Sequence, residues 1–134
     1  MSHVENLGSL TRARSLTLTI VGPPAFVSSN GRGGWFVHDK AIAAWRLVAA
    51  HAARRVKVAP FGPRVVIDVT VHRTSNRKSD ASNVFPSIKA CVDGIQDARL
   101  IAGDDDAHVA ALTIRRGPNR ERATLTITIS QEQQ

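Results

Sequence analysis

Residues 64–73 read RVVIDVTVHR, and this stretch decides the fold class. Valine or isoleucine stands at every second position from Val65 to Val71, and the polar residues Asp68 and Thr70 stand between them. Alternation at a period of two is typical of a β-strand with one buried face. The sequence therefore predicts a strand here, and the neighbouring segments are interpreted by the same reasoning.

Upstream, the segment Ser15–Val21 alternates leucine and isoleucine with threonine, which predicts another strand that stops at Gly22. A helix is predicted from Asp39 to about Arg55, because apolar residues recur there every three or four positions. Its apolar stripe consists of Ala41, Trp45, Val48 and Ala52. This stripe is expected to pack on the sheet.

Downstream, a second helix is predicted to run to about Ala98, with cap chemistry from Asp80–Asn83 and Pro86 in its first turn. Its apolar stripe consists of Phe85, Ile88, Val92 and Ile95. Two final strands, Val109–Arg115 and Ala123–Ile129, are predicted to close as a hairpin around Gly117–Asn119.

The resulting order, β-α-β-α-β-β, predicts one small α+β domain over residues 1–134 with a mixed β-sheet and helices packed on it. Its core is expected over about residues 16–129, and the ends, 1–14 and 130–134, are expected to be flexible. A chain of 134 residues is long enough for one domain only.

Composition narrows the class of protein. The single cysteine, Cys91, excludes a disulfide framework and favours a reducing compartment. Without a long apolar run or an apolar segment near Met1, the sequence predicts no membrane partner and a cytoplasmic location. Cys91 itself is interpreted as a small core residue rather than a nucleophile.

The formal charge of +7 is unevenly distributed. Six of the 11 acidic residues, all of them aspartates, lie between Asp80 and Asp106, whereas 16 of the 18 lysines and arginines lie outside that stretch. A basic chain favours a polyanionic partner, and with only 4% aromatic residues a duplex backbone suits it better than stacked single-stranded bases. Carboxylates gathered within such a chain suit Mg²⁺, which binds through few protein ligands and keeps waters for substrate phosphates.

Plainer interpretations of these residues stay open at this point. Asp80 has the character of a residue at a helix start, Asp104–Asp106 that of a solvated turn, and Lys89 with Asp93 that of a surface ion pair. His108 is either structural or solvated, or it acts as a proton shuttle or metal neighbour beside the acidic turn.

A sequence motif favours the catalytic interpretation of these residues. The run KSDASN at 78–83, then PSIKACVDGI at 86–95, and then DDAHV at 105–109 resembles the RusA family of Holliday-junction resolvases. The family pattern is Asp-x-Asp-Asn, Lys-x-x-x-Asp-Gly/Ala-Leu/Ile and Asp-Asp-x-x-Val/Ile. The resemblance extends over about residues 16–129. It implies a RusA-like fold and a homodimeric endonuclease, often encoded by phages or prophages, that cuts four-way DNA junctions with Mg²⁺, for which Mn²⁺ substitutes.

Carried over residue by residue, the resemblance implies catalytic roles for Asp80, Lys89 and Asp106. The metal ligands would come from Asp80, Asp105 and Asp106, with Asp93 as a compensating carboxylate, and three consecutive aspartates leave the frame of the last pair open. One position departs from the family, because Ser82 replaces the second aspartate of Asp-x-Asp-Asn. The alternative is therefore a protein that binds branched DNA and cuts it weakly or not at all.

Basic and polar residues around the motif are predicted to contact DNA. They are Arg73, Arg77 and Lys78 before Asp80, Asn30 and Arg32 in the glycine-rich loop, and Arg115 and Arg116 on the predicted hairpin. Arg120 and Arg122 lie on the same predicted hairpin, and His72 is close to the motif.

Overall fold

The computed structural model describes residues 14–22, 26, 34–76 and 84–132, with residues 34–38 described by their backbone alone. The elements are β1 (Ser15–Val21), α1 (Gly34–Arg55), β2 (Val65–His72), α2 (Phe85–Asp97), β3 (Val109–Arg116) and β4 (Thr124–Gln131). The order β-α-β-α-β-β and the α+β class are confirmed. No helix in the described ranges is long and apolar enough to cross a bilayer.

The four strands form one mixed sheet in the order β1-β4-β2-β3. β4 runs antiparallel to both β1 and β2, while β2 and β3 are parallel. Parallel neighbours need a crossover connection, and α2 provides it between β2 and β3. β2 is thus an inner strand, paired with β4 on one side and β3 on the other.

The predicted hairpin of β3 and β4 is wrong, because β2 lies between these two strands. The connector after β3 crosses the end of β2, where Gly117 N–H donates to Val71 O at 2.9 Å and Arg120 N–H donates to Arg73 O at 2.9 Å. The chain therefore enters the sheet again on the far side of β2. A turn sequence indicates that the chain reverses direction, but it does not indicate which strand the following strand pairs with.

Both helices cover the same face of the sheet, and the core lies between the helices and the sheet. Alternate residues of β2 and β4, including Ile67, Val69 and Ile127, are fully buried there. On α1 the buried positions are Trp45, Ala49, Ala50 and Ala53. The predicted positions Val48 and Ala52 are only partly buried and lie at the margin of the core. The shift has a physical reason, since small residues are needed where α2 comes closest to α1.

That closest approach is at Gly94 of α2. A methyl group added there would lie 2.2 Å from Arg46 O and 2.9 Å from Ala50 N. The Gly in the family-like motif therefore has a packing role: it lets two helix backbones touch. Across the same contact, Arg46 donates to both carboxylate oxygens of Asp97, at 2.6 and 2.8 Å.

Three boundary predictions are corrected. α1 begins at Gly34 rather than at Asp39. α2 has Val84 as its N-cap residue and no side chain capping it, while Asp80–Asn83 lie outside the described residues; Pro86 is in the first turn, as predicted. β4 continues through Ser130 and Gln131 into the segment expected to be flexible, because Gln131 N–H donates to Arg14 O at 2.7 Å.

Candidate functional site

The centre of the candidate site is an ammonium group held between two carboxylates. Lys89 lies in the first turns of α2, and its Nζ donates to Asp93 Oδ1 at 2.7 Å, one helical turn further on. The same Nζ donates to Asp104 Oδ2, in the turn before β3. We call Lys89, Asp93 and Asp104 the Lys89 cluster. It links the second part of the motif to the residue directly before the third part, because Asp104 lies 15 residues after Lys89.

The charged groups of the Lys89 cluster stabilise one another's ionised forms. The hydrogen bond to Asp104, and next the one to Asp93, raise the pKa of Lys89 above its ordinary value. Lys89 in turn, with a contribution from Asp93, lowers the pKa of Asp104. Lys89 and Asp104 are therefore both charged at neutral pH, because each stabilises the ionised form of the other.

A cleft of about 270 Å³ opens beside this cluster, between α2 and β3. Its wall is apolar and includes Ile67, Ile88, Val92 and Leu112. Its polar lining consists of Lys89, Asp104 and Asp106. Phe85, which the helical pattern predicts to be in the core, is instead 43% exposed and lines this cleft.

The three consecutive aspartates have three different surroundings. Asp104 contacts Lys89, and Asp106 lines the cleft. Asp105 turns away and its Oδ1 lies 2.6 Å from Nδ1 of His108. The turn 104–106 thus presents alternate side chains, Asp104 and Asp106, to the cleft. Asp104 is not in the predicted ligand set, and its contact with Lys89 is not indicated by the sequence.

His108 is held in place from several sides. Besides its contact with Asp105, its backbone oxygen accepts a hydrogen bond from Val65 N–H at 2.9 Å. Its ring lies against Gly103, where an added methyl would come within 2.7 Å of Nδ1. These contacts favour the structural interpretation of His108 over a proton shuttle.

The carboxylates of the cleft are the candidate ligands of a divalent metal. Within the described ranges, no three His, Cys, Asp or Glu side chains are grouped as a metal site. Asp104 and Asp106 nevertheless line one cleft, and carboxylate oxygens suit Mg²⁺, which is held by one or two carboxylates together with waters and substrate phosphate. The residues present therefore fit Mg²⁺ in ligand chemistry. Asp93, predicted as a ligand, instead accepts a hydrogen bond from Lys89.

The first part of the motif cannot be placed in this geometry. Asp80, Ser82, Arg77 and Lys78 lie outside the described residues. The same holds for Asn30 and Arg32 of the glycine-rich loop. Their predicted roles in catalysis, metal binding and DNA contact stay predictions.

The predicted DNA-contacting arginines differ in their surroundings. Arg116 Nη2 donates to Ser75 O, Asn76 Oδ1 and Asn119 Oδ1 at 3.0, 2.9 and 2.8 Å, so it ties the exit of β2 to the connector after β3. Arg115 is exposed on the sheet face that carries no helix, and Arg73 is half-buried just after β2. Arg122 donates to Gly22 O at 3.0 Å.

Two buried groups have structural roles. Cys91 is fully buried, and burial raises the pKa of its thiol, which agrees with the interpretation as a core residue. His72 is 4% exposed; its Nδ1 lies 2.9 Å from Pro118 O and its Nε2 lies 2.9 Å from Thr126 Oγ1. His72 thus anchors the connector rather than reaching toward a substrate.

Comparison with known proteins adds no assignment. No protein-family model matches the chain, and no curated protein matches it. Any functional assignment consequently rests on the motif and on the geometry of the Lys89 cluster.

Proposed function

We propose that this protein is a magnesium-dependent endonuclease that resolves four-way DNA junctions in recombination and repair, acting in the cytoplasm of a bacterial or phage-infected cell. One observation carries the proposal. Lys89 and Asp106, from the second and third parts of the motif, line one cleft, and Asp104, directly before the third part, contacts Lys89 at its rim. Family-like residues separated in sequence thus converge at one surface, which is what a shared role in catalysis requires.

Each residue of the site has a distinct part in the proposed reaction. Asp104 and Asp106, with Asp80, would hold Mg²⁺. Bound there, the ion would polarise a phosphoryl oxygen and lower the pKa of a water, which is the chemistry that hydrolysis of a phosphodiester needs. Lys89 stays protonated because its pKa is raised, and it neutralises the negative charge that develops on the phosphate. Asp93 orients Lys89 from one helical turn away.

The positive charge of the chain supports a DNA substrate. With a net charge of +7, the protein attracts a phosphate backbone, and the carboxylates of Asp104 and Asp106 line one cleft of this basic protein. The proposal retains the resemblance's homodimer, because two identical sites suit the two symmetrical cuts of a four-way junction.

The decisive experiment is cleavage of a synthetic four-way junction in the presence of Mg²⁺. We expect nicking by the unaltered protein and a loss of at least about 100-fold in rate for Asp104→Asn and Lys89→Gln, the order of magnitude expected for one electrostatic group of an active site. Asp97→Asn is the matched control: it removes an exposed carboxylate on the same helix that pairs with Arg46 instead. Equal rates in all four proteins would disprove the proposed site.

Ser82 supports a second candidate, a branched-DNA-binding protein with weak or no cleavage. A hydroxyl is a neutral and weaker metal ligand than the carboxylate of the family pattern. Ser82→Asp separates the two functions. If the unaltered protein binds the junction tightly but does not cut it with Mg²⁺, and if Ser82→Asp gains nicking, the protein is a branched-DNA-binding protein. Efficient cutting by the unaltered protein excludes it.

The proposal also predicts a preference among DNA structures. Four-way junctions, flaps and linear duplexes should be compared at one salt concentration, because affinity for the phosphate backbone changes steeply with salt. Faster cleavage of flaps than of junctions would assign the same chemistry to a different branched substrate.

A further inference from the structure

Asp104 has a carboxylate oxygen that is engaged by a cation of the protein itself. Its Oδ2 accepts a hydrogen bond from Lys89 Nζ, and its side chain lines the cleft together with Asp106. An ammonium group and a divalent metal ion are both attracted to a carboxylate oxygen, and they repel each other. Lys89 and a metal ion therefore compete for Asp104.

Lys89 has a second partner to which it remains attached when it leaves Asp104. Its Nζ donates to Asp93 Oδ1 at 2.7 Å, one turn further along α2. The pair of Lys89 and Asp104 lies in contact with water, and exposed ion pairs are weak. The contact with Asp104 is consequently easy to exchange, while Asp93 keeps the ammonium group beside the cleft.

A phosphate group is the anion that suits this exchange. A lysine ammonium binds phosphate as a point charge, and DNA phosphates are the groups that the proposed function brings to the cleft. We propose that Lys89 opposes divalent-cation binding at Asp104 in the free protein and releases Asp104 when a DNA phosphate takes over its ammonium group. Metal loading would then follow DNA binding. This inference rests on the proposed function for both the phosphate and the metal ion.

Arg46 provides a comparison for the effect of charge alone. Its guanidinium donates to Asp97 at 2.6 and 2.8 Å. That hydrogen bond chiefly raises the pKa of Arg46, and the negative charges of Asp93 and Asp104 raise it further. Arg46 thus lies within electrostatic reach of the same two aspartates, although its hydrogen bonds go to Asp97. Replacing Arg46 removes one nearby positive charge and leaves the contact between Lys89 and Asp104 in place.

The first experiment measures Mn²⁺ binding to the full chain without DNA, with free Mn²⁺ detected by electron paramagnetic resonance. Lys89→Gln should bind Mn²⁺ at least about tenfold more tightly than the unaltered protein, because the competing cation is gone. Arg46→Gln, the matched control, should change the affinity by less than about threefold, since it acts on Asp104 only through charge that salt screens. A gain for Lys89→Gln no larger than that for Arg46→Gln would overturn the inference.

A double-mutant cycle locates the competition at Asp104. An amide does not attract either cation as a carboxylate does, so in an Asp104→Asn background Lys89→Gln should raise Mn²⁺ affinity by less than about threefold. Both side chains are in contact with water, so the variants are expected to fold, and thermal unfolding verifies this. A gain that persists undiminished in this background would show that Lys89 acts on another ligand and would contradict the proposal.

The release of Asp104 by DNA is tested by linkage. Junction binding is measured by fluorescence anisotropy with and without Ca²⁺, which also takes carboxylate oxygens, at constant ionic strength and with the DNA recovered uncut. Because linkage is reciprocal, a DNA that favours cation binding is itself bound more tightly when the cation is present. We expect this strengthening to be at least about threefold smaller in Lys89→Gln. Equal strengthening in both proteins would refute the release by DNA.

Failure of this inference is distinguishable from failure of the proposed function. If the unaltered protein cuts the junction with Mg²⁺ and Lys89→Gln shows no gain in Mn²⁺ affinity, only the inference fails. If Mn²⁺ affinity rises in Lys89→Gln but the unaltered protein does not cut DNA, the competition at Asp104 stands and the nuclease activity fails. The two measurements also move in opposite directions, because Lys89→Gln should bind the metal more tightly and cut more slowly.

Discussion

The ammonium group of Lys89 donates a hydrogen bond to the carboxylate of Asp104, and this contact closes α2 onto the turn that precedes β3. The side chain of Lys89 is 49% exposed and that of Asp104 is 29% exposed, so the pair lies in contact with water. Exposed ion pairs contribute little to stability, about 0–1 kcal/mol. The importance of the contact is therefore chemical: it holds a cation and a carboxylate together at the cleft.

Replacing Asp104 by asparagine should cost up to about 1 kcal/mol at neutral pH, and the cost should disappear in acid. The pKa of Asp104 is lowered in the folded protein, so its stabilising effect is present above the ordinary Asp pKa and is lost as pH falls through the folded value. Urea unfolding of both proteins at neutral pH and near pH 2 checks this. A difference in stability that grows in acid would contradict the sign.

Gly94→Ala should destabilise the protein by about 1–3 kcal/mol. The added methyl would meet backbone atoms of α1, at 2.2 Å from Arg46 O, and backbone cannot move aside as a flexible side chain does. Thermal unfolding measures the loss, and Gln96→Ala, a half-buried position on the same helix, is the control. A stability close to that of the control would show that α1 and α2 separate without cost.

His72→Phe should cost about 1–3 kcal/mol, because it keeps a buried ring but leaves Pro118 O and Thr126 Oγ1 without their partner. The measurement is a double-mutant cycle with Thr126→Val. If the hydrogen bond from the ring to Thr126 contributes as expected, the valine substitution should be less harmful in the phenylalanine background than in the original protein. Additive effects would show that the two side chains are not coupled.

Cys91 should not react with a thiol reagent in the native protein at neutral pH. It is fully buried, and burial raises the pKa of its thiol, so both access and thiolate are lacking. Titration with an aromatic disulfide reagent should detect about one thiol per chain in denaturant and almost none without it. Rapid native reaction would mean that α2 opens readily.

Much of the fold follows from local pattern. The alternation in Val65–Val71 and in Ser15–Val21 identifies strands, because one sheet face is buried and the other is polar. The helix periods are predicted well at Ile88, Val92 and Ile95, which are all buried, and poorly at Phe85. A period tells which side chains share a face, but not which of them the tertiary structure leaves exposed.

The sequence by itself determined the element order, the α+β class and the grouping of aspartates in a basic chain, since these depend on residue type and spacing alone. Tertiary structure decided that β2 separates β3 from β4, and that Asp104 rather than Asp105 meets Lys89. Strand neighbours depend on where the connections cross the sheet, and the direction of adjacent side chains in a turn depends on its backbone angles. Neither can be inferred from hydrophobic spacing, because both are set by contacts between residues that are distant in the chain.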